Sequence, residues 1–176
     1  MDCCAINGLD QMFDESLAKR ELKSYRKNGL DERARKLADF LKAEGISGAS
    51  VLEIGCGIGA LHLELLKGGA TSATGVDVSR EYIKAVENLA RTHGLEDAVE
   101  YRVGDFVELE REAPHSDVTL LDRVICCYPS MRELVTASAR HTGRLYALTY
   151  PRWTWWIRAG AFLENLGYRV LRKRFR

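Results

Sequence analysis

The 176-residue sequence lacks the features that define several broad classes of protein. Its 26 Lys and Arg residues face 25 Asp and Glu residues, which leaves a formal net charge of +1. Because affinity for phosphate needs a clear excess of cationic side chains, this balance argues against a general nucleic-acid binder. No apolar run approaches the roughly 18 residues that a membrane-spanning helix needs. Residues 1–14 carry acids where a signal peptide has basic residues, so the expected location is cytoplasmic.

The cysteines and histidines show no pattern of a disulfide framework or a metal site. Adjacent cysteines rarely bond to each other, and no Cys-x-x-Cys pair is present. The four histidines fall at no metal-ligand spacing relative to the cysteines, so no metal site is predicted. Most of the thiols are expected to be reduced and partly buried. The five cysteines are Cys3, Cys4, Cys56, Cys126 and Cys127.

The composition that is present is that of a soluble globular protein. Hydrophobic residues make up 46% and charged residues 29% of the chain. At about 150 residues per domain, the length predicts one domain over residues 1–176. Apolar residues recur at helical spacing over 15–26 and 31–43, which predicts an N-terminal helical cap in residues 1–45. Residues 46–176 are expected to form the core.

From residue 46 onward the pattern alternates between strands and helices. Such alternation every ~20–30 residues is typical of βαβ units with right-handed crossovers. The predicted fold is therefore α/β, with three layers and a mostly parallel sheet. Ser79 is the expected N-cap of the second of these helices. Strands are predicted at 50–54, 73–78, 99–103, 118–124 and 144–149, and helices at 60–67, 80–92 and 130–140.

Three alternate glycines, Gly55, Gly57 and Gly59, directly follow the first predicted strand. Glycine lets the backbone turn tightly and lets a ligand approach, and the next helix would direct free N–H groups toward that ligand. Asp77 ends the second strand, 18 residues after Gly59. A carboxylate there can accept hydrogen bonds from both hydroxyls of a ribose. We predict a nucleoside-containing cofactor at the carboxyl edge of the sheet.

Two cofactors compete for this loop. Residues 55–60 also satisfy the dinucleotide pattern G-x-G-x-x-A, which keeps an NAD-dependent oxidoreductase as an alternative. Glu53 favours a different cofactor, because a carboxylate inside a strand is costly without a partner and a ligand ammonium would supply one. Asp105 and Phe106 follow the third strand, where an acid beside an aromatic ring suits the amino group and ring face of an adenine.

These segments resemble the first three motifs of class I S-adenosylmethionine-dependent methyltransferases, in the right order over residues 30–150. The resemblance implies a Rossmann-like methyltransferase fold, S-adenosyl-L-methionine as cofactor and S-adenosylhomocysteine as product. It also implies a set of cofactor-binding residues for the methionine part, the ribose and the adenine. The matching segments are Glu53-x-Gly55-x-Gly57-x-Gly59, Gly75-Val76-Asp77-Val78-Ser79 and Gly104-Asp105-Phe106. The residues implied are Glu53, Gly55, Cys56, Gly57 and Gly59 for the methionine part, Asp77 and Val78 for the ribose, and Asp105 and Phe106 for the adenine.

The segment after the fourth strand is expected to line the substrate pocket. By the resemblance, Asp122 borders the transferred methyl group, and Tyr128 is the candidate for positioning a substrate or acting as a weak base. No Asn-Pro-Pro-Tyr is present, so the signature of adenine-N6 and glutamine methylation is missing. Because alignment supplies much of the rate of methyl transfer, no catalytic triad is required. The predicted acceptor is a small molecule, with its reacting atom unspecified.

Three alternatives to this reading are a cofactor-binding protein with little activity, the oxidoreductase, and an arsenite methyltransferase. The last needs Cys56 to converge with Cys126 or Cys127. The Tyr-Pro pairs at 128–129 and 150–151 are also similar to magnesium-protoporphyrin methyltransferases, which implies an apolar acceptor that bears a carboxylate.

Both ends of the chain carry further expectations. Tyr25 and Arg26, before the second helix, are predicted to bind the cofactor carboxylate. A helix is predicted at 153–166, with three tryptophans on a flat apolar surface. The family's sheet usually has seven strands, so five predicted strands suggest that the last ones are missing. An exposed sheet edge is then expected to pair with a second copy of the chain.

Overall fold

A parallel five-stranded sheet organises the residues that the computed structural model describes, 14–126 and 128–150. The strand order is β3-β2-β1-β4-β5, and each neighbouring pair is parallel. The chain reverses its direction of travel across the sheet between β1 and β4, which is the point where doubly wound sheets bind ligands. The strands are β1 (Ser50–Ile54), β2 (Ser72–Asp77), β3 (Val99–Val103), β4 (Ser116–Asp122) and β5 (Thr142–Thr149).

Within residues 14–126 and 128–150, two helices precede the sheet and four lie between its strands. Short polar side chains set where several of them begin: Asp14, Asp31 and Ser79 each accept a hydrogen bond from a backbone N–H of the first turn. Ser79 is therefore the N-cap that the sequence predicts. The helices are α1 (Glu15–Asn28), α2 (Glu32–Ala43), α3 (Ala60–Lys67), α4 (Arg80–Thr92), α5 (Phe106–Leu109) and α6 (Met131–Arg140), with 3-10 turns at Glu96–Ala98 and Glu110–Glu112.

The sheet lies between two layers of helices. Helices α1 to α4 share a buried apolar cluster with Val51 and Val118, whereas α5 and α6 pack with Leu52 and Leu121 on the other face. This division follows from the strand period of two, which points successive side chains to opposite faces. The predicted three-layer α/β fold is confirmed, and the sheet is parallel throughout the described strands.

Strand β4 ends earlier than predicted. The apolar run predicts a strand to residue 124, but β4 ends at Asp122 because Arg123 has a φ of 60°. A residue in the left-handed conformation ends the extended strand. Val124 and Ile125 then lie in a loop and pack against the apolar cluster that contains Leu52 and Leu121. At its start, β5 begins at Thr142 rather than 144.

Some expectations fall outside the described residues. These are the helix at 153–166, the tryptophans, the C-terminal segment and Cys3, Cys4 and Cys127. Within the described ranges, no helix is long and apolar enough to cross a membrane. The same ranges contain no group of three or more His, Cys, Asp or Glu side chains arranged to hold a metal ion.

Candidate active site

The glycine loop between β1 and α3 sits at the carboxyl edge of the sheet. Gly55, Gly57 and Gly59 all have positive φ, at 64°, 54° and 71°. A Cβ at Gly55 would lie 2.5 Å from Val124, and one at Gly59 would lie 2.0 Å from Val86, so both positions leave no room for a side chain. Gly57 is different, because a Cβ there would meet only the Tyr82 ring at an ordinary 3.6 Å. Its φ, rather than its packing, requires glycine.

Asp77 at the end of β2 fixes the middle of this loop. Its Oδ2 accepts a hydrogen bond from the Gly57 N–H at 2.8 Å, and its Oδ1 accepts from the Ser79 N–H at 2.9 Å. Burial raises the pKa of Asp77 above its ordinary value, against the lowering effect of these two N–H groups. Because each carboxylate oxygen can accept a second hydrogen bond, Asp77 keeps acceptor capacity for a ligand.

Asp105, Phe106 and Tyr128 lie together beyond the ends of β3 and β4. Asp105 caps α5 through the Val107 N–H, and the Tyr128 hydroxyl donates to both Asp105 oxygens at 2.9 Å. Phe106 is only 2% exposed and makes an edge contact with His141 at a centroid distance of 5.8 Å. Burial, together with the Asp105 carboxylate, raises the pKa of Tyr128. Tyr128 is therefore a protonated hydrogen-bond donor at neutral pH.

Two cavities meet over the glycine loop. The first has a volume of about 390 Å³, within the usual range for ligand sites. The second measures about 210 Å³ and shares Glu21, Gly55, Gly57, Asp122 and Arg123 with the first. Residues particular to the first cavity are Asp77, Val78, Asp105, Phe106, Cys126 and Tyr128, and those particular to the second include Tyr25, Arg33, Glu53 and Cys56.

Glu53 has a partner in the protein that the sequence analysis missed. The carboxylate is 3% exposed, and its Oε2 accepts hydrogen bonds from His62 Nδ1 at 2.6 Å and from the His62 N–H at 3.3 Å. The sequence analysis expects a ligand ammonium as the partner of this carboxylate, whereas the structure already gives it His62. His62 is fully buried in the first turn of α3, the helix that follows β1 through the glycine loop. A polar residue in that turn is the sequence signal that identifies this partner.

Cys56 is buried beneath the loop. Burial, with smaller effects of Asp77 and Glu53, raises the pKa of its thiol well above the ordinary value. A protonated thiol is a poor ligand for a soft metalloid, which disfavours the arsenite hypothesis. Cys126 is exposed and lines the first cavity.

Asp122 ends β4 at the boundary that the two cavities share. Its Oδ1 accepts hydrogen bonds from the Arg33 guanidinium of α2 and from the Thr149 hydroxyl of β5. Thr149 also accepts the Arg123 N–H at 3.0 Å, which holds Arg123 in its left-handed conformation. None of these three hydrogen bonds is evident from local sequence patterns, since the partner residues Arg33 and Thr149 lie on other elements.

Tyr25 and Arg26, the two residues predicted to bind a cofactor carboxylate, both line a groove with Arg35 and Lys42 that includes no residue of the glycine loop. Of the two, Tyr25 also lines the second cavity, and its hydroxyl donates to Glu64 at 2.7 Å. Arg26 does not line either glycine-loop cavity. Among the described residues of α1 and α2, Arg33 is the arginine that lines a glycine-loop cavity.

Residues 51–143, just over half of the chain, match a family model described as a methyltransferase domain. The chain belongs to this family. As a class I methyltransferase it has S-adenosyl-L-methionine as its cofactor, and the match disfavours the oxidoreductase alternative.

Curated relatives of this methyltransferase match it over part of its length. It is 35% identical over 114 residues to the ubiquinone biosynthesis O-methyltransferase of Xylella fastidiosa strain 9a5c, covering 61% of this chain and 44% of that protein. It is 35% identical over 80 residues to the ribosomal protein L11 methyltransferase of Alteromonas mediterranea, covering 45% and 27%. The chain thus spans less than half the length of these relatives.

Solved structures show the same fold at low sequence identity. Magnesium protoporphyrin IX methyltransferase from Synechocystis PCC 6803, with bound S-adenosylhomocysteine, superposes with a TM-score of 0.74 at 16% identity, over 90% of this chain and 77% of that chain. A methyltransferase from Thiobacillus denitrificans, also with S-adenosylhomocysteine, gives a TM-score of 0.55 at 19% identity, over 65% and 45%. The Rossmann-like methyltransferase fold is therefore shown.

Proposed function

We propose that this methyltransferase binds S-adenosyl-L-methionine across the two cavities and transfers its methyl group to a small-molecule acceptor. The observation that carries the proposal is the junction of the cavities over Gly55 and Gly57, with a carboxylate on each side. Asp77 lies in the first cavity and Glu53 in the second. A cofactor with a nucleoside at one end and an amino acid at the other needs two such acceptors on opposite sides of the loop.

The first cavity fits the nucleoside. Asp77 would accept hydrogen bonds from the ribose hydroxyls, beside Val78. Asp105 would accept one from the adenine amino group, and the buried ring of Phe106 would face the base. Because Tyr128 donates to both oxygens of Asp105, we assign it the role of orienting that carboxylate.

The second cavity fits the amino-acid end. Glu53 would accept from the ammonium group, beside Cys56 and the start of α3 after Gly59. Arg33 would pair with the carboxylate, and it replaces Arg26 in this role because Arg26 lies in the other groove. Tyr25 contributes to the wall of this cavity.

The methyl group would be delivered at the shared boundary, next to Asp122 and Arg123. When bound, the sulfonium supplies an activated methyl group, whose carbon leaves sulfur and bonds to the acceptor atom to give S-adenosylhomocysteine. Where the acceptor atom carries a hydrogen, Asp122 is the neighbouring carboxylate that would take its proton. The protein otherwise contributes alignment and exclusion of water.

A small acceptor is favoured by the walls of the first cavity near this boundary. Ile54, Val124 and Leu134 give the first cavity an apolar wall, which suits a small organic molecule. Among the relatives, the ubiquinone biosynthesis O-methyltransferase is named for a small-molecule pathway, whereas the ribosomal protein L11 methyltransferase is named for a protein acceptor.

Calorimetric titration with S-adenosylhomocysteine, and with NADH as the comparison, tests the cofactor. We expect binding of the first and none of the second. No S-adenosylhomocysteine binding at about 1 mM, a ~4 kcal/mol interaction, would overturn the proposal. A panel of phenolic, porphyrin and amine acceptors, scored by S-adenosylhomocysteine release, then tests transfer. Binding with no turnover on the whole panel would favour a cofactor-binding protein of little activity.

A further inference from the structure

A chain of three side chains is buried behind the glycine loop. Glu53 on β1 accepts from His62 Nδ1 on α3 at 2.6 Å, and His62 Nε2 lies 3.0 Å from the Tyr101 hydroxyl on β3. His62 is completely buried. Buried polar networks cost free energy relative to apolar packing of the same volume, so a network kept at this depth calls for a role beyond stability.

The positions of the hydrogens in this network follow from the groups at its two ends, Glu53 and Tyr101. Burial is the main reason that the pKa of Tyr101 is raised, so its phenol keeps the proton. Because the Glu53 carboxylate can only accept, the hydrogen of His62 lies on Nδ1, and the Tyr101 hydroxyl donates to Nε2. A neutral imidazole that accepts at Nε2 carries its hydrogen on Nδ1. That hydrogen then points to Glu53. Tyr101 thus stabilises the tautomer in which His62 donates to the carboxylate.

Both hydrogen bonds from His62 reach the same oxygen of Glu53. Oε2 accepts from Nδ1 and from the His62 backbone N–H, whereas no hydrogen bond reaches Oε1 from any of the described residues. Glu53 also lines the second cavity. Oε1 is therefore the oxygen that remains available to a ligand there.

Gly59 and Gly75 leave space for the hydrogen-bonded side chains of His62 and Tyr101. A Cβ at Gly59 would lie 2.6 Å from His62 Cε1, and a Cβ at Gly75 would lie 2.8 Å from Tyr101 Cδ1. Larger residues at either position would displace the imidazole or the phenol. The two glycines therefore protect the geometry that fixes Glu53.

We infer that His62, aligned by Tyr101, is a positioning residue that fixes the Glu53 carboxylate so that its free oxygen binds the ammonium group of the cofactor. This inference rests on the proposed function, because it assigns the second cavity to the amino-acid end.

The test measures the affinity of three ligands by calorimetry. S-adenosylhomocysteine carries the ammonium group, its deaminated analogue keeps the carboxylate alone, and 5′-methylthioadenosine lacks the whole amino-acid end. The variants are His62→Leu, which removes the donor, His62→Asn, which keeps an N–H donor at the Nδ1 position, and Tyr101→Phe. His93→Leu is the matched control, since His93 lies outside both glycine-loop cavities.

We expect His62→Leu to bind S-adenosylhomocysteine at least tenfold more weakly and the other two ligands within twofold of the unmodified chain. His62→Asn should recover most of the loss, and Tyr101→Phe should lose about threefold for S-adenosylhomocysteine only. An equal loss for all three ligands would show a general structural role and overturn the inference, as would unchanged binding of S-adenosylhomocysteine.

Two further outcomes distinguish failure of the proposed function from failure of the inference about His62. If the unmodified chain binds none of the three ligands, the proposed function itself fails. If circular dichroism shows that His62→Leu is unfolded, Tyr101→Phe decides: a loss confined to S-adenosylhomocysteine supports the inference, and no selective loss overturns it.

Discussion

Replacing Asp77 with alanine tests the ribose role most directly. The structure gives its carboxylate two backbone donors, Gly57 and Ser79, and leaves further acceptor capacity toward the first cavity. A hydrogen bond to a charged acceptor contributes about 1.5–3 kcal/mol. Loss of about 2 kcal/mol corresponds to about thirtyfold weaker binding, since 1.36 kcal/mol is a factor of ten. We therefore expect Asp77→Ala to weaken S-adenosylhomocysteine binding about thirtyfold.

The same substitution also frees two N–H groups in the loop, so its effects must be separated. Asp117→Ala is the matched control, because Asp117 likewise accepts from a backbone N–H, that of Ser50 at 2.8 Å, but at the far edge of the sheet. Both variants are compared by calorimetry and by urea unfolding without ligand. A second ligand pair isolates the ribose: Asp77→Ala should weaken adenosine binding but leave 2′,3′-dideoxyadenosine unchanged. Equal losses for the two nucleosides, or an unchanged affinity for S-adenosylhomocysteine, would refute the ribose role.

Three other substitutions test particular contacts. Tyr128→Phe should raise the KM for the cofactor several-fold through Asp105, with kcat and its pH profile between pH 6 and 9 little changed; a collapse of kcat would instead restore Tyr128 as a base. Arg33→Ala should weaken S-adenosylhomocysteine about tenfold in calorimetry, a loss of about 1.4 kcal/mol, whereas Arg26→Ala should not; the reverse order would return the carboxylate to Arg26. Thr119→Val should raise the free energy of unfolding by about 1 kcal/mol in a urea titration, because its hydroxyl is fully buried without a hydrogen-bond partner among the described residues; a destabilised variant would contradict this.

The parts of the fold that were predictable are those set by neighbours in sequence. The bounds of β1, α3, α4 and β3 follow from apolar spacing with glycine and serine at the ends, and all four match the structure. The end of β4 was not predictable in this way. Hydrophobicity is continuous from Val118 through Leu121 and again at Val124, and it carries no information about the φ of Arg123.

The candidate site likewise combines residues that local sequence predicts with residues that only the packing of distant segments brings together. The glycine loop, Asp77 and Asp105 were found because each follows a strand whose carboxyl end lies at the ligand edge of the sheet. Arg33 was missed because its partner Asp122 is 89 residues away, and only the packing of α2 over the sheet edge brings the two together.

His62 was within reach of sequence reasoning, and the reason is geometric. A helix that follows a strand through a tight loop returns antiparallel over that strand, so its first turn lies above the strand's last buried residues. Glu53 lies on the face of β1 that α3 covers, and His62 is nine residues later, on the buried side of the first turn of α3. A charged residue in such a strand therefore predicts a polar residue in the first turn of the next helix. In this protein that rule identifies His62, the side chain that donates to Oε2 of Glu53.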